Sequence, residues 1–125
     1  MFSIRTIPNI KSEVDGQRLG EMSIDGFTEQ FACCSVGVST NELDRVWKTE
    51  LRKLVNGSAA IALAYDPRFA WVIYRDGERC FVQQVFSPDG DFRDHLASRT
   101  TVTEDGQCVS EWNTDVSAIA LFIGT

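Results

Sequence analysis

The sequence predicts an α+β fold, in which an antiparallel sheet built from hairpins carries two main helices, at about 40–55 and 115–123. Three observations lead to this prediction. Turn residues such as Asp25-Gly26 separate short runs of β-type residues, residues 40–55 have the apolar spacing of an amphipathic helix, and the last apolar segment follows a capping residue. Strands outnumber helices, as expected for a sheet that supports a small number of helices.

The N-terminal part predicts strands. Residues 2–7 alternate apolar and polar side chains up to Pro8, where we expect an edge strand or an arm to end before a polar stretch. A hairpin follows, with its turn at Asp25-Gly26, and its second strand over 27–36 has the stronger pattern.

The clearest element is a helix over 40–55. Ser39 stands three residues before Glu42, which is a capping-box pattern, and Asn56-Gly57 is a typical C-terminal stop. The apolar stripe consists of Leu43, Val46, Trp47, Leu51, Leu54 and Val55. Acidic residues lie in the first turn and basic residues in the last, so both ends complement the helix dipole. We therefore predict that Trp47 is a core residue.

Residues 59–65 and 69–74 are apolar on two faces, as central strands are. The first has small side chains on one face, which would let a helix pack closely: Ala60, Ala62 and Ala64. A tight turn over 75–78 leads into another strand over 80–86.

The remaining residues predict a loop over 87–91, a short helix over 91–97 and a hairpin whose strands, 100–103 and 107–112, flank Glu104-Asp-Gly106. Thr114 can then cap a helix over 115–123, which is apolar almost all round and should be largely buried.

Composition indicates one ordinary globular domain over 1–125, because 43% of the residues are hydrophobic and 10% are aromatic. Neither a membrane span nor a secretory leader is recognisable, so we expect a cytoplasmic protein. The net charge is −6; residues 1–57 hold 7 basic and 8 acidic side chains, giving −1, and residues 58–125 hold 5 and 10, giving −5. An acidic chain disfavours nucleic acid and suits a basic partner.

Few residues could carry chemistry. The only histidine, His95, follows Asp91 by four residues and could form an acid–base pair or a solvated pair on a charged helix. Together with Asp94 these residues could bind a metal, but the calcium-loop spacing is absent, and we expect neither metal nor cofactor. Arg99 could bind a phosphate or pair with Glu111.

The four cysteines include no C-x-x-C pair, so we expect buried thiols rather than a zinc site. Cys33 and Cys34 are adjacent, and strand geometry would direct them to opposite faces. Trp71 and Trp112 could fill the core or act as binding hot spots.

Three blocks carry a resemblance to a known family. They are 71–84 (Trp-Val-Ile-Tyr-Arg-Asp-Gly-Glu-Arg-Cys-Phe-Val-Gln-Gln), 98–101 (Ser-Arg-Thr-Thr) and 110–115 (Ser-Glu-Trp-Asn-Thr-Asp). In order and spacing they resemble immunity proteins of bacterial contact-dependent growth inhibition systems, in the branch that neutralises colicin E3-like ribosomal RNase toxins. The resemblance covers about half the chain, from residue 58 onward, and implies a strongly bent sheet like the Whirly fold of single-stranded-DNA-binding proteins.

The resemblance implies a protein that is not an enzyme and that binds and blocks the basic RNase domain of a cell-surface effector, one to one. The alternative is a small single-stranded nucleic-acid-binding domain of Whirly-like fold, which would need a basic groove with stacking aromatic residues. A small enzyme that uses His95 and a cysteine is a third reading.

Charge and turn positions suggest where the toxin would bind, because side chains on turns are free to meet a partner. Seven carboxylates lie on the predicted turns and the short helix and supply most of the acidic excess: Asp76, Glu78, Asp89, Asp91, Asp94, Glu104 and Asp105. We predict that they form, at least in part, an acidic rim that faces the toxin.

Overall fold

The computed structural model describes residues 1–11, 18–33 and 39–124, and the side chains of residues 8–11 and 40 are not described. The elements in chain order are β1 Phe2–Lys11, β2 Arg18–Ile24, β3 Phe27–Cys33, α1 Thr40–Val55, β4 Ala60–Asp66, β5 Phe69–Asp76, β6 Arg79–Phe86, α2 Arg93–Ala97, β7 Trp112–Asp115 and α3 Val116–Ile123. The predicted α+β class with antiparallel hairpins and two main helices is confirmed, and the strands divide into two sheets, β1-β2-β3 and β4-β5-β6-β7.

The first sheet is an antiparallel meander. Alternate residues of its strands point into the core, among them Ile4, Met22 and Phe31, as a half-buried sheet requires. The predicted edge strand at the N-terminus is confirmed, but Pro8 does not end it. The pairing between β1 and β2 is irregular after Thr6 and resumes at Lys11, and an edge strand tolerates a proline that cannot donate a hydrogen bond.

The predicted hairpin around Asp25-Gly26 is confirmed, since β2 and β3 pair from Ile24–Phe27 to Arg18–Cys33. Cys33 is buried on the core-facing side of β3. Cys34 and the predicted end of this strand, 34–36, lie outside the described residues.

The second sheet places β5 and β6 in the centre, and the prediction that residues 59–65 form a central strand is wrong. β4 is an edge strand that is covered on both faces: Ile61 and Leu63 face the main core, and Ala60 and Ala62 pack against the cluster under α2. Two covered faces give the same apolar pattern as a central position. The small side chains do allow close packing of a helix, as predicted.

α1 has the predicted boundaries and cap, because the Ser39 side chain accepts a hydrogen bond from the Glu42 N–H at 3.2 Å. Leu43, Trp47, Leu51 and Leu54 are buried. Val46 is 52% exposed, so the stripe is narrower than the sequence predicts.

α3 differs in detail from its prediction. Asp115, rather than Thr114, is the capping residue, and its carboxylate accepts from the Ala118 N–H at 2.8 Å while Thr114 belongs to β7. Val116, Ile119 and Ile123 are buried, but Leu121 is 80% exposed, so this helix is buried on one side only. The hairpin before it is reduced to a single bridge between Val102 and Cys108.

Both sheets contribute to one core, together with α1 and α3. Trp47 and Trp71 are fully buried there, which confirms the core reading of both. Trp112 is partly buried and stacks on Phe27 of the first sheet at 4.4 Å between ring centroids. A smaller cluster lies on the outer face of the second sheet, under α2, and includes Val72 and Tyr74.

Candidate functional site

The seven carboxylates of the predicted rim are all exposed, but they fall into separate groups. Asp76 and Glu78 lie at the turn between β5 and β6, whereas Asp89 and Asp91 follow the far end of β6. The seven steps from Phe69 to Asp76 correspond to about 23 Å along the strand. The two groups therefore occupy opposite ends of the second sheet, and one small patch cannot contain both.

The loop over 87–91 packs against the turn between β4 and β5. The Ser87 N–H donates to the Arg68 carbonyl at 2.7 Å, and a Cβ on Gly90 would approach the Pro67 carbonyl oxygen to 2.6 Å. Gly90 has φ +76, a left-handed conformation that suits glycine. The loop therefore has one defined position beside Asp66 and Phe69.

Hydrogen bonds fix two of the loop carboxylates. The Asp91 N–H and the Ser87 hydroxyl donate to Asp89 and lower its pKa. Arg93 binds Asp91 through its side chain and its N–H, and these bonds hold the pKa of Asp91 at about 2. The predicted pairing of Asp91 with His95 is wrong, because the Asp91 carboxylate forms its ion pair with Arg93.

His95 instead contributes its backbone, since the Tyr74 hydroxyl donates to its carbonyl at 2.7 Å. Asp94 is exposed on α2. Glu104 and Asp105 stand at the tip of the bridged hairpin, where the Thr103 hydroxyl donates to Asp105.

Arg99 is a structural residue. Its guanidinium lies 3.7 Å from the centre of the Phe81 ring and donates through Nε and Nη2 to the Glu111 carboxylate, with the Nε bond at 2.8 Å. Gln83 donates to the same carboxylate at 2.8 Å. The bonds from Arg99, with a smaller contribution from Gln83, lower the pKa of Glu111. The prediction that Arg99 pairs with Glu111 is confirmed.

Sequence reasoning missed an open groove of about 360 Å³ where the edge strands β3 and β4 meet. Its lining includes Glu29 from β3, Tyr65 and Asp66 from β4, Phe69 from β5 and Gln84 from β6. The signal was available in β3, because a charged residue occupies an inward position between Phe27 and Phe31.

Two aromatic residues extend this groove over the surface. Phe69 and Phe86 are 38% and 49% exposed, and their ring centroids are 5.0 Å apart. Tyr65 stacks on the other side of Phe69, at 6.1 Å and an interplanar angle of 21°. Exposed neighbouring aromatic rings of this kind are enriched in binding surfaces.

The predicted burial of the thiols is confirmed for Cys33 and Cys80 but is wrong for Cys108, which is exposed, and Cys34 lies outside the described residues. Burial raises the pKa of Cys33 to about 12 and that of Cys80 to about 11, so both are protonated at neutral pH. Among the described residues, no group of three or more metal-ligating side chains comes together. Within the same part of the chain, no helix is long and apolar enough to cross a membrane.

The fold, with exposed carboxylates and an aromatic groove, defines a binding protein with an acidic surface. Comparison with known proteins places it more narrowly: the chain belongs to the CdiI N-terminal domain family, whose model matches residues 38–122. This membership confirms the predicted family, the CdiI immunity proteins of contact-dependent growth inhibition systems.

One curated protein is similar in sequence, and one solved structure has the same fold. The chain is 31% identical over 93 residues to the "Immunity protein CdiI" of Enterobacter cloacae subsp. cloacae, and the match covers 61% of this chain and 63% of that protein. The chain therefore spans less than two thirds of that relative. A chain in the "CdiA-CT/CdiI toxin and immunity complex from Enterobacter cloacae" has the same fold, with a TM-score of 0.79, 24% identity, and coverage of 98% of this chain and 96% of that one.

Proposed function

We propose that the chain is a cytoplasmic immunity protein that binds the toxic CdiA-CT domain of a contact-dependent inhibition effector, one to one, and blocks it. We further propose that this toxin is a ribosomal-RNA-cleaving RNase of the colicin E3-like type. The observation that carries the first proposal is the family match over 38–122. The finer proposal on the toxin depends on the resemblance of the blocks at 71–84, 98–101 and 110–115.

Electrostatics supports a basic RNase as the partner. An RNase must bind a polyanion, so its active-site surface carries Lys and Arg side chains. This chain has a net charge of −6 and exposes acidic turns at both ends of its second sheet. The exposed carboxylates would repel RNA, and two of the cations near them, Arg93 and Arg99, are already bound to Asp91 and Glu111.

The test uses the purified chain and the C-terminal domain of the effector encoded beside its gene. We expect one equivalent of the chain to abolish cleavage of ribosomal RNA by that domain, and co-expression to protect growing cells. A complex that leaves cleavage intact would contradict inhibition, and a toxin that cuts another substrate would contradict the RNase assignment. Electrophoresis with labelled RNA and the chain alone serves as the control, and a shift would favour a nucleic-acid-binding domain instead.

A further inference from the structure

Glu29 occupies an unusual position for a carboxylate. It lies on the core-facing side of β3, between Phe27 and Phe31, and its Oε2 atom is buried without a hydrogen-bond partner. A buried carboxylate oxygen without a partner loses its hydration and gains nothing in return, and native proteins rarely keep such atoms. An edge strand offers a reason, because a second molecule can approach it.

The surroundings of Glu29 specify the chemistry of the missing partner. The groove beside it is lined by the rings of Tyr65 and Phe69, and the carboxylate of Asp66 stands at the same site. The Gln84 amide donates to the Tyr65 hydroxyl at 2.6 Å, which holds that ring in place. A flat cation that stacks on aromatic faces while it donates to carboxylates matches this set of groups.

The pKa of Tyr65 reflects the charges that line the groove. Burial is the main cause that raises the pKa of its hydroxyl to about 12, and the Gln84 hydrogen bond acts in the opposite direction. The charges of Glu29 and Asp66 add to the rise. Both carboxylates therefore contribute negative charge to the groove.

We propose that this groove is the receiving site for an arginine side chain of the toxin, which stacks on the exposed aromatic face and donates to Glu29 and Asp66. The inference rests on the proposed function and adds a particular anchor to it. The exposed rings of Phe69 and Phe86 would cover the rim of the site and exclude water from the ion pair. Lysine fits less well, because it lacks a planar group that stacks and donates twice.

A competing explanation lies within the fold. The indole N–H of Trp71 is also buried without a hydrogen-bond partner. If a water molecule joins Glu29 to that indole, the role of Glu29 is to stabilise the free protein, and it contributes nothing to binding of the partner.

The experiment compares Glu29→Gln with Glu42→Gln, which removes an exposed carboxylate in the first turn of α1, outside the predicted acidic rim. Binding of the cognate toxin domain is measured by surface plasmon resonance, and melting temperatures are measured for the free variants. We expect Glu29→Gln to weaken binding at least 10-fold, mainly through faster dissociation, without a lower melting temperature. Glu42→Gln should bind within 2-fold of wild type.

A second variant, Phe69→Ala, removes one wall of the groove at a partly exposed position and should also weaken binding at least 10-fold. A double-mutant cycle tests the pairing from the side of the toxin. When the arginine that contacts the groove is replaced, Glu29→Gln should weaken binding no further. Wild-type affinity in both chain variants would overturn the groove while the proposed function stands. A Glu29→Gln protein that melts lower and binds normally would assign Glu29 to the fold, and a wild-type chain that does not bind the toxin would overturn both proposals.

Discussion

Trp47 offers the sharpest test of how the two sheets and α1 share a core. Its side chain is fully buried, it lies 6.0 Å from the Phe31 ring, and its indole N–H donates to the Ala64 carbonyl at 2.8 Å. It therefore joins α1 to the first sheet by packing and to β4 by a hydrogen bond. Trp47→Ala would empty the largest side chain of this junction and leave a carbonyl without its donor.

The magnitude follows from these two losses. Emptying a buried Trp site costs about 3–5 kcal/mol, and the lost hydrogen bond adds about 0.5–1.5 kcal/mol. We therefore expect the free energy of unfolding to fall by about 3.5–6.5 kcal/mol. With an unfolding entropy of about 2.1 cal/mol/K per residue, the melting temperature of this chain should fall by roughly 13–25 °C.

Urea denaturation followed by circular dichroism measures this loss, with two controls. Trp47→Phe keeps most of the apolar bulk and loses the hydrogen bond, so it should cost about 1–2 kcal/mol. Val46→Ala changes the neighbouring residue on α1, which is 52% exposed, and should stay within about 0.5 kcal/mol of wild type. A Trp47→Ala protein within 1 kcal/mol of wild type would refute the reasoning, because a fully buried side chain cannot be removed at so little cost.

Three further predictions concern the second sheet and its loops. Gly90→Ala should lower the free energy of unfolding by about 2–3 kcal/mol, because the new methyl group meets the Pro67 carbonyl oxygen. The control is Gly106→Ala, which also has a positive φ, +85, but lies in open space. It should lower the free energy of unfolding by only about 1 kcal/mol in the same denaturation assay. Glu111 has a pKa below its ordinary value of 4.5, so its contribution to stability is complete above that pH and is lost as the pH falls through the lowered pKa. The stability difference between wild type and Glu111→Gln, measured by thermal melts from pH 7 to pH 2, should therefore shrink below about pH 4.5, and a difference that persists at pH 2 would exclude this ion pair as its source. Asp94→Lys should slow toxin association several-fold at low salt with an unchanged melting temperature, and an unchanged rate in stopped-flow mixing would place α2 outside the interface.

Local signals made much of this fold predictable. The capping box at Ser39 and the spacing of Leu43, Trp47 and Leu51 fix α1 without help from the rest of the chain. The turn at Asp25-Gly26 likewise defines its hairpin, since both strands and their register follow from neighbouring residues.

Long-range arrangement was not predictable in the same way. The pattern of β4 cannot distinguish a central strand from an edge strand covered on both faces, and only the path of α2 across its alanine face decides between them. The sequence places two basic residues near Asp91, Arg93 at two residues and His95 at four. The conformation of the loop lets the Asp91 carboxylate bind Arg93 rather than His95. The inward carboxylate of Glu29 was visible in the sequence, but its meaning required β4 to lie beside it.

The exposed carboxylates and the groove should therefore contribute differently to recognition. Acidic turns attract any basic protein, and their effect on association rate is screened by salt and depends little on the shape of the partner. They cannot by themselves distinguish one basic toxin from another. A groove that combines fixed rings with a partly buried carboxylate requires a cation of suitable shape at one position, and a partner without it would leave Glu29 unpaired. We therefore expect exchange of residues at 29, 66 and 69 between related immunity proteins to change which toxin is neutralised, and exchange of the exposed turn carboxylates to change mainly how fast it is captured.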